Sequence, residues 1–304
     1  MINGRVKILV TGASGQVGWE LSRTLPALGE VVALDRAQMD FTKTDQIKRV
    51  LRELRPDVVV NAAAYTAVDE AETESKTAWM INAIAPGVVA EELRRAGALL
   101  VHYSTDYVFD GRGEMPYTEE DEPAPLNVYG ASKLAGERAI QDVDGTHLIF
   151  RTSWVYGARG SNFLRTMLKL FEERSELKIV DDQVGAPTWC RWLAKATTQV
   201  LAQCVSGTGA SVPSLGDRGG IYHLTAGGQT SWLGFASAIL DLRRSMGGTK
   251  GPHLIPIPST AYPRPAQRPA NSVLSHTKLR ATFGVVPPPW HSLLCECMEE
   301  LVFM

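Results

Sequence analysis

The chain has 304 residues, is 44% hydrophobic and 21% charged, and carries a formal net charge of −2. These values fit an ordinary globular protein long enough for two domains, and they exclude the basic field of a nucleic-acid binder. No apolar run approaches the ~20 residues that span a bilayer, and no secretory layout precedes the first strand, so the expected location is the cytoplasm. Residues 6–11 (VKILVT) predict a buried parallel strand. The glycines Gly12, Gly15 and Gly18 follow in the order GxxGxxG, with residues 19–28 at helical spacing. Strand, glycine loop and helix are the setting in which a backbone can approach a pyrophosphate at a helix N-terminus. A second strand over 31–34 ends at Asp35 and Arg36. An acid there suits the ribose of NAD and an arginine the extra phosphate of NADP, so both coenzymes stay open. Asp40 and Phe41 mark a seat for adenine. Helix 44–54 and strand 57–61 lead into Ala62, Ala63, Ala64, Tyr65 and Thr66, small residues that let a cofactor lie close.

Residues 75–96 predict a long helix, with Pro86 as a possible kink and Asn82 either a satisfied core amide or a support for a catalytic lysine. Strand 99–103 delivers Ser104, Thr105 and Asp106 at its carboxyl end, where open α/β sheets bind ligands. The next helix carries Tyr129 and Lys133, whose i, i+4 spacing places them on one face. A neighbouring ammonium is expected to lower the phenol pKa, making Tyr129 a proton donor to a developing alkoxide. Thr105 supplies a hydroxyl for the same oxygen, and Ser104 competes with it, because neighbours on a strand face opposite ways. Strand 147–151 ends at Trp154 after Thr152 and Ser153. The alternation to this point predicts an α/β fold with a Rossmann-type doubly wound parallel sheet over residues 1–155. Residues 156–304 predict a smaller C-terminal α/β substrate-binding domain, with segments such as 189–203 free to pack back on the first. Helices are expected over 162–174, 189–201, 231–245, 277–283 and 290–302, with strands over 177–180 and 221–225. A Gly/Ser-rich loop is expected over 204–220, and the six prolines of 252–269 exclude regular helix or central strand there. Cys190, Cys204, Cys295 and Cys297 are scattered and read as free thiols.

The stretches GASGQVGWEL, VNAAAYTAVDEAE, STDYVFDG, PAPLNVYGASKLAGE, DDQVGAPT and RPANSVLSHTKL together resemble the extended short-chain dehydrogenase/reductase superfamily, over nearly the whole chain. The resemblance implies NADPH as cofactor, with NADH possible. It implies reduction of the 4-keto group of a nucleotide sugar, dTDP-4-dehydro-β-L-rhamnose, by Tyr129, Lys133 and Thr105. By position it assigns Gly15, Gln16, Val17, Asp35, Asp40, Phe41 and Ala62 to Thr66 to cofactor contacts. Asp106 and Trp154 fall on sugar-nucleotide contacts, and Arg268 and Asn271 on a late motif expected near diphosphate or sugar. Some relatives form magnesium-bridged dimers through glutamates. Two of these match Glu20 and Glu300, but Arg191 follows the GAPT segment where the third belongs, so no metal is expected, and a monomer or a dimer of another kind is. Two alternatives stand beside this. One is a binding subunit resembling the regulatory partner of methionine adenosyltransferase, and the other is a ketoreductase for a different nucleotide sugar.

Overall fold

A computed structural model describes residues 5–205, 215–248 and 251–302. β1 (Lys7–Thr11) passes through the glycine loop into α1 (Gln16–Thr24), then β2 (Glu30–Leu34), α2 (Thr44–Leu54) and β3 (Val58–Asn61). α3 (Ser75–Trp79), a π turn (Met80–Ile84) and α4 (Ala85–Ala96) make one helical run, followed by β4 (Leu99–Thr105), α5 (Val128–Asp142) and β5 (His147–Thr152). The second half adds β6 (Val155–Tyr156), α6 (Phe163–Glu173), β7 (Glu176–Val180), β8 (Val184–Gly185), β9 (Thr188–Trp189) and α7 (Cys190–Val205). After these come β10 (Gly220–His223), β11 (Thr230–Ser231), α8 (Trp232–Ser245), β12 (His253–Ile257), α9 (Thr277–Phe283) and α10 (Trp290–Val302).

Six strands form one parallel sheet in the order β10-β5-β4-β3-β1-β2. Both faces are covered, which is why the strands read as unbroken apolar runs: all seven residues of β4 are buried. Leu9, Val59, Leu100 and Ile149 pack with Ile47 of α2 and Leu93 of α4. On the opposite face Ile8, Val10, Val58 and Val101 join Leu21 of α1 and Leu193 of α7. That second cluster continues without a break to Phe235 of α8 and Leu294 of α10. The later half therefore shares its core with the sheet, and it also supplies the edge strand β10. The other strands pair in twos: β7 with β12, β8 with β11, β6 with β9.

Two expectations need adjustment. Pro86 lies in the first turn of α4, inside one continuous helical run. The irregularity lies just before it, in the π turn that holds Asn82. The proline-rich segment behaves as its prolines require, with an edge strand and no central one. β12 includes Pro256 but pairs only with β7, so one side of it needs no donor. Of the loop expected over 204–220, residues 206–214 lie outside the described residues, and residue 220 already belongs to β10.

Glu20 of α1 and Glu300 of α10 both bond the guanidinium of Arg191 at the start of α7, at 3.1 and 2.5 Å. One side-chain cation thus ties three helices together. A deeper pair fixes α5 to the sheet. Arg151 of β5 grips Glu137 through Nε (3.0 Å) and Nη2 (2.7 Å), and both residues are buried. Removing one partner of such a pair strands the other charge, at a cost of about 3–5 kcal/mol. Glu137→Ala is expected to lose roughly that much stability in chemical denaturation. The double variant Glu137→Leu/Arg151→Met should lose clearly less, and equal losses would contradict the pair's role.

Candidate active site

The glycine loop turns at Gly12 with φ +69°, a left-handed conformation that glycine adopts without cost. A Cβ there would stand 2.7 Å from the Ala63 nitrogen, so the loop and the Ala62–Ala63 backbone touch. Gly15 precedes α1 with no side chain capping the helix, which leaves the first-turn amides facing outward with the positive end of the dipole. A cavity of ≈ 320 Å³ opens here, lined by Gly12, Gly15, Arg36, Asp40, Phe41 and the run Ala62 to Thr66. A second cavity of ≈ 410 Å³ adjoins it through Gly15, Ala62, Ala64 and Thr66. Its walls carry Gln16, Val17, Ser104, Thr105, Asp106, Tyr129, Lys133 and Trp154. Together they form one crevice at the carboxyl ends of β1, β3, β4 and β5. The sheet order reverses there, between β1 and β3. A larger cavity of ≈ 730 Å³ lies at the opposite ends of the strands, beside Pro56 and Ala98. Its two carboxylates are both engaged, Glu92 by Arg52 and Arg95 and Asp57 by the Lys7 amide, so it offers no comparable chemistry.

α5 reaches the crevice because Asn127 caps it, accepting the Gly130 amide at 2.8 Å. Gly136 lets it approach the π turn, since a Cβ at that position would meet the Asn82 carbonyl oxygen at 2.0 Å. Asn82 itself holds the cofactor-side loop rather than Lys133. Its amide group bonds both the N–H (2.8 Å) and the carbonyl (3.0 Å) of Tyr65, and it also donates to Ser132. It is the satisfied core amide, with a positioning task.

Lys133 is buried and donates to the Tyr103 carbonyl at 2.5 Å, with His102 Nε2 at 3.1 Å. Burial pushes its amine down to about 8, against a smaller upward pull from Glu137. Tyr129 departs from expectation: its phenol is not lowered but pushed up to about 12. Burial is the first cause, the Thr105 hydroxyl pulls the other way, and the Asp106 charge adds to the rise. The lysine is engaged elsewhere, so it does not offset the desolvation. The Tyr107 ring packs edge-on against Tyr129 with centroids 6.0 Å apart.

Other expected residues fall outside the crevice. Gly18 lines neither cavity and packs α1 on the loop, where a Cβ would meet the Gly12 carbonyl oxygen at 2.1 Å. The Asp35 carboxylate turns back to accept the Ala37 and Gln38 amides, while Arg36 faces the cavity. Arg268 is committed to Asp69, with Nη1 at 2.5 Å, and touches Tyr107, so its influence on the site runs through that ring. Asn271 donates to the Gly113 carbonyl at 2.7 Å. Both late residues hold the segment that closes over the loop after β4. Sequence reading missed Ser161, Thr152 and Ser153 as lining residues. It also missed the buried row Thr11, Asn61 and His102 behind Lys133. Only the polar ends of otherwise apolar strands hinted at that row. Among the described residues the hydroxyls of Ser104 and Thr152 are buried without a protein partner, which suits a wall built for a polar ligand.

Asp106 provides a test of this electrostatic reading. Burial pushes its carboxyl from the ordinary 3.8 to about 7, despite bonds from Ser272 and Thr105 that pull it down. Between those pH values the folded chain keeps a proton that the unfolded chain has lost, so folding stability falls as pH rises. Asp106→Asn removes the effect. Denaturation midpoints of the two proteins should separate in favour of the variant as pH climbs through this window, and parallel curves would contradict the assignment.

Residues 6–303 match the family model described as RmlD substrate binding domain. A dTDP-4-dehydrorhamnose reductase of Burkholderia thailandensis is 50% identical over 300 residues, covering 98% of this chain and 99% of the relative. The crystal structure of a dTDP-4-dehydrorhamnose reductase from Clostridium acetobutylicum superposes with a TM-score of 0.88 at 37% identity, covering 98% of this chain and 100% of the other. That of the Bacillus anthracis dTDP-4-dehydrorhamnose reductase, in complex with NADP, gives 0.85 at 34% identity over 97% and 99% of the two chains. With this sequence match and this crevice, the chain belongs to the RmlD substrate binding domain family.

Proposed function

We propose that the chain reduces the 4-keto group of dTDP-4-dehydro-β-L-rhamnose to dTDP-β-L-rhamnose, the final reduction in making that nucleotide sugar, with NADPH as cofactor. One observation carries this: Thr105, Tyr129 and Lys133 stand on a single wall of a crevice whose other wall is a glycine loop. The complete set supports an enzyme over the binding-subunit alternative. Gly12, Gly15, Gln16, Val17, Arg36, Asp40, Phe41 and Ala62 to Thr66 would hold the cofactor, whose nicotinamide supplies the hydride when bound. Arg36 in the cavity and Asp35 turned away support the phosphate-bearing coenzyme. The Bacillus anthracis relative binds the same one.

Tyr129 acts as general acid. A phenol pushed up to about 12 keeps its proton at neutral pH, so the donor is loaded before the ketone arrives. Thr105 hydrogen-bonds the oxygen that gains charge, and Lys133 on the same wall would hold the nicotinamide ribose. Ser104, Asp106 and Trp154 border the sugar. We assign residues 156–304 mainly to substrate recognition, although α7 and β10 serve the sheet. The working unit is a monomer, or a dimer without a magnesium bridge, because Arg191 already neutralises Glu20 and Glu300. Four free thiols and a reduced nicotinamide coenzyme support a cytoplasmic setting.

Tyr129→Phe keeps the ring and removes the proton. Turnover should fall by roughly 100-fold or more while NADPH affinity holds. Steady-state oxidation of NADPH by the keto sugar, beside a titration of cofactor binding, checks both. Near-normal turnover would remove the general-acid role.

A further inference from the structure

Behind the catalytic wall, Thr11, Asn61 and His102 occupy adjacent register positions on β1, β3 and β4. All three are buried, and on β1 and β3 they end otherwise apolar runs. They bond in a line: Thr11 Oγ1 donates to Asn61 Oδ1 at 2.7 Å, Asn61 Nδ2 meets His102 Nδ1 at 2.9 Å, and His102 Nε2 meets Lys133 Nζ at 3.1 Å. Four polar side chains out of water are held only for a reason, because each costs free energy unless it is bonded.

The direction of the line follows from one backbone amide. The Ala63 N–H also points at Asn61 Oδ1, at 3.1 Å, and a backbone N–H can only donate. The oxygen of Asn61 must therefore face Ala63 and Thr11, and its NH₂ must face His102. An NH₂ only donates, so His102 Nδ1 accepts and a neutral ring carries its proton on Nε2. Burial holds that ring neutral, well below the usual histidine range, and the Lys133 charge adds to the effect. Nε2–H then points at the lysine nitrogen, which can accept it only as a free amine.

We infer that His102, oriented by Asn61, is a positioning residue that presents an N–H to Lys133 and so lowers the pH at which the catalytic lysine gives up its proton. The inference rests on the reductase reading above and deepens it. The row ties the lysine's charge to the cofactor loop, since charging Lys133 without conflict requires Asn61 to turn and release the Ala63 amide beside Gly12. The charged groups facing Lys133 are Glu137 one turn along α5, held by Arg151 of β5, and Asp106 beyond β4. The π turn offers the uncharged Asn82. Of these only Glu137 raises the lysine, and its charge is shared with the arginine.

The test has two parts. In the full-length protein labelled with ¹⁵N-histidine, six histidines are observed, and His102 is assigned by its loss in His102→Gln. Its ring should be neutral with the proton on Nε2. A proton on Nδ1, or an imidazolium at neutral pH, overturns the inference whatever the activity. Asn61→Asp keeps the shape but can only accept, so His102 should switch its proton to Nδ1 and offer Nε2 to the ammonium. The basic limb of kcat/KM for the keto sugar should then move up by about one pH unit or more. A limb that stays in place while the tautomer switches overturns the coupling. Loss of the ketone reaction in the unsubstituted protein would instead sink the reductase reading and leave the tautomer result standing.

Discussion

The site depends on where α5 lies. Tyr129 and Lys133 reach the crevice only because this helix is held against β4 and β5, and the buried Glu137–Arg151 pair is its firmest tie. Burying two charges is costly in itself, so the pair serves placement more than net stability. Gly136 against the π turn and Asn127 at the helix start set the remaining degrees of freedom. The π turn belongs to the same device. Its Asn82 grips Tyr65 on the cofactor side and Ser132 on α5, so both walls of the crevice share one anchor.

This placement has an electrostatic consequence. Tyr129, Lys133 and Asp106 are out of water, and burial opposes charge on each: the phenol is raised, the amine lowered, the Asp106 carboxyl raised. Such a site favours neutral groups over charged ones until a ligand brings charge of its own. Groups buried in this way weaken the fold where they sit, a pattern typical of functional sites.

Much of this was legible in the sequence because local pattern decided it. The run 6–11, the glycine loop and the helix after it could hardly be arranged otherwise, and residues 44–54, 277–283 and 290–302 became helices over the expected spans. Tyr129, Lys133 and Thr105 do meet in one cavity. What failed depended on contacts between distant segments. Nothing in four residues of β10 says that they return to the central sheet. The arginine of RPANSVL reads as a ligand contact until Asp69, far away in sequence, is seen to hold it. The lowered phenol followed from spacing alone, and spacing does not reveal that the lysine nitrogen is spent on Tyr103 and His102. Asp35 sits where a ribose contact belongs, yet its own turn takes the carboxylate.

The central claim is that this crevice delivers hydride to carbon 4 of a nucleotide-linked ketone while Tyr129 protonates the oxygen. Supplying dTDP-4-dehydro-β-L-rhamnose together with NADPH deuterated on carbon 4 of the nicotinamide tests it most directly. Mass spectrometry and NMR of the product should find dTDP-β-L-rhamnose with one deuterium, at carbon 4 of the sugar. A product without deuterium there, or no consumption of the keto sugar, would contradict the account.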